Sequence, residues 1–371
     1  MRPYWMEHFG NASSIHHEGQ AARKAIDLAR ETVARFFGCR DAEVVFNSGG
    51  TEGDNTAIAG LIRAGDHLIT TSIEHSAVLR AADKAAQLGA QVTFVAPQKN
   101  GLIDPKAIRK ALRPETRPDN ARRILISVML ANNETGVLQP VEEIGEIAAE
   151  YGAYFHIDAV QGAGKVPFDV QRFGCHLCSI SAHKMHGPKG VGAMYVRRGT
   201  PVEPLLLGGS HERRQRAGTQ NVAGIVGLGK AAELAMRSLE DGTMERVAGL
   251  RDRLETGLLG IAGTDVNGAG TPRAANTTNI HFEQLEGEAL VIALDLKGVA
   301  VSGGSACHSG STEPSHVLMA MGLGRNAALA SLRFSLLKTV TDADVDDVLR
   351  VVPEAVERLR ALAPETVLSR Q

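Results

Sequence analysis

Apolar side chains recur at helical spacing over residues 20–37, the first long pattern in the chain. Ala22, Ile26, Ala29 and Val33 are separated by three or four positions, which predicts an amphipathic helix with one buried stripe. Gly38 is the expected end of this helix, because glycine adopts the left-handed backbone conformation that closes a helix.

Short apolar runs then alternate with helical patterns as far as residue 157. Such alternation predicts an α/β fold with a mainly parallel sheet and helices on both faces. In sheets of this kind ligands bind at the carboxyl ends of the strands, so the residues that follow each strand are the site candidates. The predicted strands are 44–46, 67–70, 92–95, 124–128 and 154–157, and the predicted helices are 52–63, 77–88, 105–112 and 141–151.

The rhythm of the pattern changes near residue 240. A polar helix over 244–260 leads into Gly- and Asn-rich sequence, and short strands and helices follow at irregular spacing. We therefore expect a large α/β domain over residues 1–240 and a smaller α+β domain over residues 241–371. Pro353 lies inside the last helical pattern, so a kink or a new helix start is expected there.

Composition narrows the class of protein. The 40 basic and 42 acidic residues give a formal charge of −2, which argues against direct nucleic-acid binding through a broad basic surface. The longest apolar stretch, 124–131, is too short to cross a membrane, and residues 1–8 contain no apolar signal core. Four scattered cysteines give no disulfide framework. We expect a cytoplasmic globular protein.

Three polar segments follow predicted strands and are weak candidates when taken alone. Residues 48–51, Ser-Gly-Gly-Thr, suit an anion at a helix start, although a plain glycine turn explains them equally well. His75 follows the second strand, where a structural or solvated histidine is the ordinary alternative. Residues 132–136 suit ligand hydrogen bonds, and turn formation is the ordinary alternative there.

Asp158 and Lys184 are stronger candidates. Asp158 ends an apolar strand, a position suited to holding a cation, and Gln161 follows it. Lys184 lies between the apolar run 177–180 and a Gly-Pro turn, and a lysine removed from water becomes nucleophilic, as imine chemistry requires. A lysine, a carboxylate for a ring nitrogen and a phosphate cradle together are what pyridoxal phosphate needs.

Cys307 lies within a run of Gly, Ser and Ala residues that offers it no apolar burial. We therefore favour a nucleophile over a structural thiol at this position. Cys175 and Cys178 form a Cys-x-x-Cys pair, but zinc ribbons need a second pair, so a core position is favoured and no metal site is expected.

The sequence resembles the cysteine desulfurases, which are pyridoxal phosphate enzymes of the aminotransferase class V group with the type I fold. The resemblance covers nearly the whole chain, and its motifs occur in the family's order. These motifs are Ser48–Asn55, His156–Gln161, Ser181–Gly190, Arg216–Thr219 and Gly304–Gly310 with Glu313-Pro314-Ser315. The ungapped run from Cys307 to Arg333 is similar to the family group with a long loop that carries the cysteine.

The resemblance implies a role for each matching position. Lys184 would form the imine with the cofactor aldehyde, and Cys307 would take the sulfur. Asn133 and Arg333 would hold the substrate carboxylate, and Thr219 would reach the phosphate of a neighbouring subunit in a homodimer. The other cofactor contacts would be Asp158 at the ring nitrogen, Gln161 at the ring hydroxyl, His75 stacked on the ring and assisting proton transfer, and Gly50, Thr51, Ser181 and His183 at the phosphate.

The reaction that the resemblance implies is conversion of L-cysteine to L-alanine, with the sulfur passing to Cys307 as a persulfide and then to an acceptor. The acceptor could belong to iron–sulfur cluster assembly, tRNA thiolation, thiamine synthesis or DNA phosphorothioation. A selenocysteine lyase or a related class V aminotransferase is the nearest alternative, and a non-catalytic scaffold with this fold is the more distant one.

Two departures from the family pattern carry expectations. An N-terminal strand with an Ala-Ala-Thr-Thr-Pro-like segment, usual in the family, is absent before residues 9–14, so substrate affinity and small-domain stability are expected to be affected. Gly50 and Gly53 stand where the family more often has Ala and Ser, and we expect little effect on phosphate binding.

Overall fold

A computed structural model describes residues 1–112, 123–303 and 313–362. The helices are α1 (Arg2–Met6), α2 (His17–Phe37), α3 (Gly50–Leu61), α4 (Ser76–Gln87), α5 (Pro105–Ala111), α6 (Val141–Glu150), α7 (Val222–Glu240), α8 (Thr243–Leu258), α9 (Gly287–Asp295), α10 (His316–Ala320), α11 (Arg325–Leu329) and α12 (Asp342–Leu362). Short 3₁₀ turns occupy Asp41–Glu43, Ala182–Met185 and His211–Arg214.

The strands of the described residues form two sheets. The first has seven strands in the order β1-β7-β6-β5-β4-β2-β3, and the second has four in the order β10-β11-β9-β8. Their bounds are β1 (Val44–Asn47), β2 (His67–Thr71), β3 (Gln91–Val95), β4 (Ile124–Met129), β5 (Tyr154–Asp158), β6 (Leu177–Ser181), β7 (Gly192–Val196), β8 (Thr264–Val266), β9 (Thr277–Phe282), β10 (Ser302–Gly303) and β11 (Ser331–Ser335).

The predicted α/β class with a mainly parallel sheet is confirmed. Strands β3, β2, β4, β5 and β6 pair in parallel, and β7 pairs antiparallel with both β6 and β1. Strand β1 therefore runs in the same direction as β6. The carboxyl ends of β1, β2, β4, β5 and β6 consequently share one edge of the sheet, where ligands bind in folds of this kind.

The chain divides into two compact units. Unit 1 comprises Met1–Val95, Asp104–Leu130 and Gln139–Asp241, and unit 2 comprises Ala96–Ile103, Ala131–Leu138 and Gly242–Gln371. Unit 1 contains the seven-stranded sheet, and unit 2 contains the antiparallel four-stranded sheet. The assignment of residues 1–240 and 241–371 as two functional domains stays a prediction.

Most predicted elements lie within a few residues of the observed ones. Helix α12 runs through Pro353 without ending, so a new helix does not start at this proline, and the kink expected there as the alternative stays a prediction. The elements that were not predicted are helices α1, α7, α10 and α11 and strands β7 and β8. Within the part of the chain that the structure describes, no helix combines the length and apolarity that a membrane crossing needs.

The core of unit 1 depends on close approach between helices and the sheet. Helix α3 packs on the sheet through Ala57, Ile58 and Leu61, which are fully buried. Helix α6 lies so close to the turn before β6 that a Cβ atom on Gly145 would be 2.2 Å from the carbonyl oxygen of Phe173. A side chain at this position would push α6 away from its neighbours.

We predict that Gly145→Ala destabilises the protein by about 1–3 kcal/mol, because the added methyl group meets rigid backbone. Gly249→Ala in α8 is the matched control, since a Cβ atom there meets nothing within 4 Å. Alanine in that open helical position is expected to stabilise by up to ~1 kcal/mol. Urea unfolding of the apoprotein measures both changes, and equal stability of the Gly145 variant and the wild type would contradict the packing argument.

Candidate functional site

The site in unit 1 is built from residues at or after the carboxyl ends of β1, β2, β5 and β6. Asp158 is the last residue of β5, and Ser181 is the last residue of β6. Lys184 follows in the short 3₁₀ turn, and His75 is the N-cap residue of α4, after β2. Because these strands share a direction, their ends bring the predicted residues to one edge of the sheet.

Asp158 is the electrostatic centre of this group. Its Oδ1 accepts a hydrogen bond of 2.9 Å from the backbone N–H of Val160, which fixes the carboxyl at the strand end. Burial raises the pKa of Asp158, while the Val160 N–H and the positive charges of His75 and Lys184 act in the opposite direction. Lys184 and His75 therefore lie close enough for their charges to act on Asp158.

His75 and Lys184 are half-buried, so both remain accessible at this edge. The Nδ1 of His75 accepts a hydrogen bond of 3.1 Å from the N–H of Ala77. Because Nδ1 accepts this bond, Nε2 is the ring nitrogen placed to exchange a proton. A histidine whose tautomer and ring position are fixed in this way is suited to stack on a planar ligand and to move a proton.

An anion cradle is formed where β1 meets α3. Gly49 has a φ of 144°, a backbone conformation that glycine alone adopts without strain, and Gly50 opens the helix. The first N–H groups of α3 have no intrahelical partners and carry partial positive charge. Thr51 is exposed in this first turn. The Ser181 hydroxyl lies close to Gly49, because a Cβ on Gly49 would be 3.3 Å from Ser181 Oγ.

The other predicted contacts of the cradle have their own partners. Ser181 Oγ and His183 Nδ1 are 2.8 Å apart, and burial and the positive charges of Lys184 and Lys189 lower the pKa of His183. Gln161 Oε1 accepts a hydrogen bond of 2.7 Å from Lys165 Nζ. Thr219 is exposed, three residues after an arginine that pairs with Glu52 in the first turn of α3.

Pyridoxal phosphate fits this set of residues. An amine, a strand-end carboxylate and a hydroxyl-lined helix start match its aldehyde, its ring nitrogen and its phosphate, respectively. The cradle also has the small residues that such an approach needs, since a Cβ on Gly50 would lie 2.5 Å from Val160 Cγ2. Among the described residues, no group of His, Cys, Asp or Glu side chains is arranged to hold a metal ion.

Two predicted substrate contacts, Asn133 and Arg333, meet in unit 2. Arg333 Nη1 donates a hydrogen bond of 2.6 Å to the carbonyl oxygen of Asn133, and Nη2 donates one of 3.2 Å to Ser302 Oγ. The Oδ1 of Asn133 is buried without a hydrogen-bond partner in the described chain. Cys307, the predicted nucleophile, lies outside the described residues.

Sequence reasoning missed a buried polar layer beneath Asp158, formed by Asp54, Glu74 and His156. His156 Nδ1 lies 2.9 Å from Ser127 Oγ, and its Nε2 lies 3.0 Å from Ser179 Oγ and 3.6 Å from Asp54 Oδ1. Burial lowers the pKa of His156 to about 3, so this ring is neutral. The one available signal was the unusual presence of polar residues within apolar strands and helices.

The two additional carboxyls of this layer favour their neutral forms. Burial, followed by repulsion from Asp158, raises the pKa of Asp54 well above its usual range. Burial raises the pKa of Glu74 to about 8, although its Oε1 accepts hydrogen bonds from Thr71 Oγ1 at 2.7 Å and from Met129 N at 3.1 Å. At neutral pH the layer therefore leaves Asp158 as the carboxyl that responds to positive charge at the site edge.

Comparisons with known proteins agree with this geometry. The model of the family described as Aminotransferase class-V matches residues 1–348. The chain is 49% identical to "Cysteine desulfurase IscS" of Methanosarcina thermophila over 370 residues, which cover 99% of this chain and 90% of that protein.

Two solved structures are also similar. One, a NifS-like protein, has a TM-score of 0.86 and 35% identity, and the match covers 96% of this chain and 94% of that one. The other, SspA in complex with cysteine, has a TM-score of 0.78 and 34% identity, and the match covers 90% of this chain and 93% of that one.

We predict that Glu74→Gln changes how stability depends on pH. The folded-state pKa of about 8 exceeds the ordinary value of 4.5, so the folded protein holds a proton that the unfolded chain releases. The stabilising contribution of this group is complete below the unfolded pKa and is lost as the pH rises to about 8. The glutamine variant should therefore gain relative to the wild type between these two values.

Thermal unfolding of the two apoproteins across this pH range measures the difference. Glu143→Gln is the control, because Glu143 is exposed on α6. A stability difference between the wild type and the Glu74 variant that stays constant with pH would show that Glu74 does not hold the proton.

Proposed function

Because the chain belongs to the cysteine desulfurases of the aminotransferase class-V family, we propose that it converts L-cysteine to L-alanine and transfers the sulfur to Cys307 as a persulfide. The observation that carries the proposal is the convergence of Lys184, Asp158 and His75 at one edge of the parallel sheet. The similar structure of SspA in complex with cysteine supports the choice of substrate.

The family is dependent on pyridoxal phosphate, and we propose that this chain binds it in the cradle of unit 1. When bound, this cofactor supplies an aldehyde for an amine and a ring that accepts electrons when a bond to Cα breaks. Lys184 would supply the amine, and the Asp158 carboxylate would hold the proton on the ring nitrogen. His75 would stack on the ring, and Gln161 would donate to the ring hydroxyl.

The phosphate contacts combine backbone and side-chain donors. The first turn of α3 supplies N–H groups at Gly50 and the hydroxyl of Thr51, and the end of β6 supplies Ser181 and His183. His183 suits a neutral donor role, because burial and adjacent lysines lower its pKa. These donors would hold the phosphate of the cofactor at the same sheet edge as Lys184.

The chain's own residues then act on the substrate. Arg333 pairs with the substrate carboxylate through its planar guanidinium, and the Asn133 amide completes this contact. The Lys184 amine would move the Cα proton of the substrate. The Cys307 thiolate attacks the substrate sulfur, the bond between that sulfur and Cβ breaks, and L-alanine leaves after protonation.

We place the reaction in the cytoplasm, where thiols stay reduced and a persulfide passes to an acceptor protein by thiol exchange. We also propose that the enzyme is a homodimer in which Thr219 reaches the phosphate site of the partner. Support comes from Leu207, which is 83% exposed next to Leu205 and Leu206, each 42% exposed. Consecutive exposed leucines in a loop are typical of a surface that a partner covers.

We predict that Cys307→Ala loses nearly all turnover of L-cysteine to L-alanine while the cofactor absorbance is retained. The reason is that the variant lacks the thiolate that accepts sulfur but keeps the groups that bind the cofactor. Cys39→Ala is the matched control and should retain activity, because burial and the nearby carboxylates of Glu43 and Asp41 raise the pKa of Cys39 to about 12. The assay measures L-alanine and protein-bound persulfide.

Borohydride reduction of the loaded enzyme, followed by peptide mapping, tests the cofactor assignment separately. The reduced adduct should be found on Lys184 and be absent from Lys184→Ala. An adduct on another lysine, or full turnover by Cys307→Ala with a physiological acceptor, would overturn the proposed function.

We predict that Leu207→Asp weakens the dimer at least about tenfold, because an unpaired carboxylate would become buried at the interface. Leu296→Asp is the matched control, since Leu296 is also 83% exposed and follows α9 in unit 2. Sedimentation equilibrium of the two variants and the wild type measures the change. Equal dissociation constants for all three proteins would remove residue 207 from the interface.

A further inference from the structure

The turn over residues 132–136 is held rigidly by one asparagine. Asn132 Oδ1 accepts hydrogen bonds from the N–H groups of Glu134 at 2.9 Å and Thr135 at 3.0 Å. Asn279 on β9 donates from Nδ2 to the carbonyl oxygen of Glu134 at 3.1 Å. Glu134 is only 6% exposed, so its carboxyl is fixed inside unit 2.

The carboxyl of Glu134 contacts the residue that starts α10. Ser315 Oγ donates a hydrogen bond to Glu134 Oε2. Ser315 Oγ also accepts a hydrogen bond of 3.1 Å from the N–H of Leu318. Ser315 is 1% exposed. Glu134 thus anchors the N-cap of the helix that follows the Cys307 segment in the sequence.

Arg333 contacts the same turn, and it also contacts Ser302, which precedes the Cys307 segment in the sequence. It donates to the carbonyl oxygen of Asn133, and it pairs with Ser302 through both the β10–β11 ladder and a side-chain hydrogen bond. Ser302 and Ser315 therefore flank residues 304–312, and both are connected to the turn that contains Asn133 and Glu134. The turn over residues 132–136 is therefore connected to Arg333, the proposed carboxylate-binding residue, and to the residues on both sides of the Cys307 segment.

The Glu134 carboxyl is balanced between its charged and neutral forms. Burial raises its pKa to about 7, whereas the Ser315 hydroxyl and the positive charge of Arg333 act to lower it. The neighbouring elements contribute Asn279 of β9 at the backbone carbonyl oxygen of Glu134, Ser315 of α10 at its carboxyl, and Arg333 of β11, whose charge acts on that carboxyl. Of these three residues only Arg333 is charged. A negative ligand at Arg333 would neutralise the charge that keeps Glu134 ionised.

We propose that Glu134 is a positioning residue that couples carboxylate binding at Arg333 to the Ser315 anchor: a substrate carboxylate at Arg333 drives a proton from solvent onto Glu134. This inference rests on the proposed function, because it takes Arg333 as the carboxylate-binding residue. Protonation makes the Glu134 carboxyl the donor in its contact with Ser315, so that Ser315 Oγ accepts from both Glu134 and Leu318. The anchor beside the cysteine segment thereby responds to occupancy of the substrate site.

The first experiment measures L-alanine binding, by the spectral change of the loaded enzyme, as a function of pH. The ratio of the wild-type dissociation constant to that of Glu134→Gln isolates the effect of Glu134 from other titrations. This ratio should rise as the pH increases through about 7, by about tenfold for a binding-induced pKa change of one unit. Ser315→Ala should move the midpoint of this rise to higher pH, because it removes a hydrogen bond that favours the ionised form.

The second experiment uses hydrogen exchange of the apoprotein, so it needs neither cofactor nor turnover. Glu134→Ala and Ser315→Ala should each speed exchange in the peptide that covers α10, whereas Glu134→Gln keeps an acceptor and should change it little. Glu354→Gln, an exposed residue of α12 paired with Lys297, is the control for both experiments. Glu354→Gln should bind L-alanine with the wild-type dissociation constant at every pH and should exchange hydrogen at wild-type rates.

A dissociation-constant ratio that does not vary with pH would overturn the coupling. If hydrogen exchange in α10 is the same in Glu134→Ala as in the wild type, Glu134 does not anchor the N-cap of this helix. Arg333→Ala that binds L-alanine as tightly as the wild type would instead show that the carboxylate assignment is wrong. That outcome would remove the premise of the coupling, while the exchange measurement would still decide the contact between Glu134 and Ser315.

Discussion

One negative charge at the end of β5 is the constraint on which the site depends. Asp158 is buried, so water cannot stabilise its carboxylate, and the compensation comes from the Val160 N–H and from positive charge at Lys184 and His75. Burial raises the pKa values of Asp54 and Glu74, which lie near it, and that of Asp158 itself. Because three buried carboxylates would repel one another, a negative charge in this group is stabilised best on Asp158, where Lys184 and His75 lower the pKa.

Close packing places the anion cradle next to this charge. Cβ atoms on Gly50 and Gly53 would lie 2.5 Å from Val160 Cγ2 and 2.6 Å from Ser179 Oγ, so α3 rests directly on the loop after β5 and on β6. The same contact brings Asp54, one turn into α3, against His156. The missing side chains at these glycines therefore determine both where a phosphate could lie and which acid is buried beneath the ring site. The expectation that glycine here has little effect on phosphate binding stays a prediction.

Sequence periodicity was sufficient to predict the site residues that follow the strand ends. It was insufficient to predict the long-range contacts that hold the surrounding residues in place. Asp158 and Lys184 stand out because each follows an apolar strand, and the rule that ligands bind at carboxyl ends requires no knowledge of distant contacts. The contact of Glu134 with Ser315 could not be found in this way, because the two residues are 181 positions apart in the chain. His156 lies within an apolar strand, and no local pattern shows that two serines on neighbouring strands satisfy both of its ring nitrogens. Strand β7 escaped prediction because it follows a glycine-rich turn and reverses the parallel order.

The distribution of thiols in the chain favours Cys307 as the sulfur acceptor. A thiol must ionise to attack sulfur, and burial raises the pKa of Cys178 far above its ordinary value and that of Cys39 to about 12. Cys175 and Cys178 are fully buried, and Cys39 is partly exposed but has the raised pKa, so none of the three described cysteines combines exposure with a readily ionised thiol. A sulfur released from the substrate would therefore meet no competing nucleophile among them. The packing of unit 1 that raises the pKa values of these thiols is the physical support for proposing Cys307 as the acceptor.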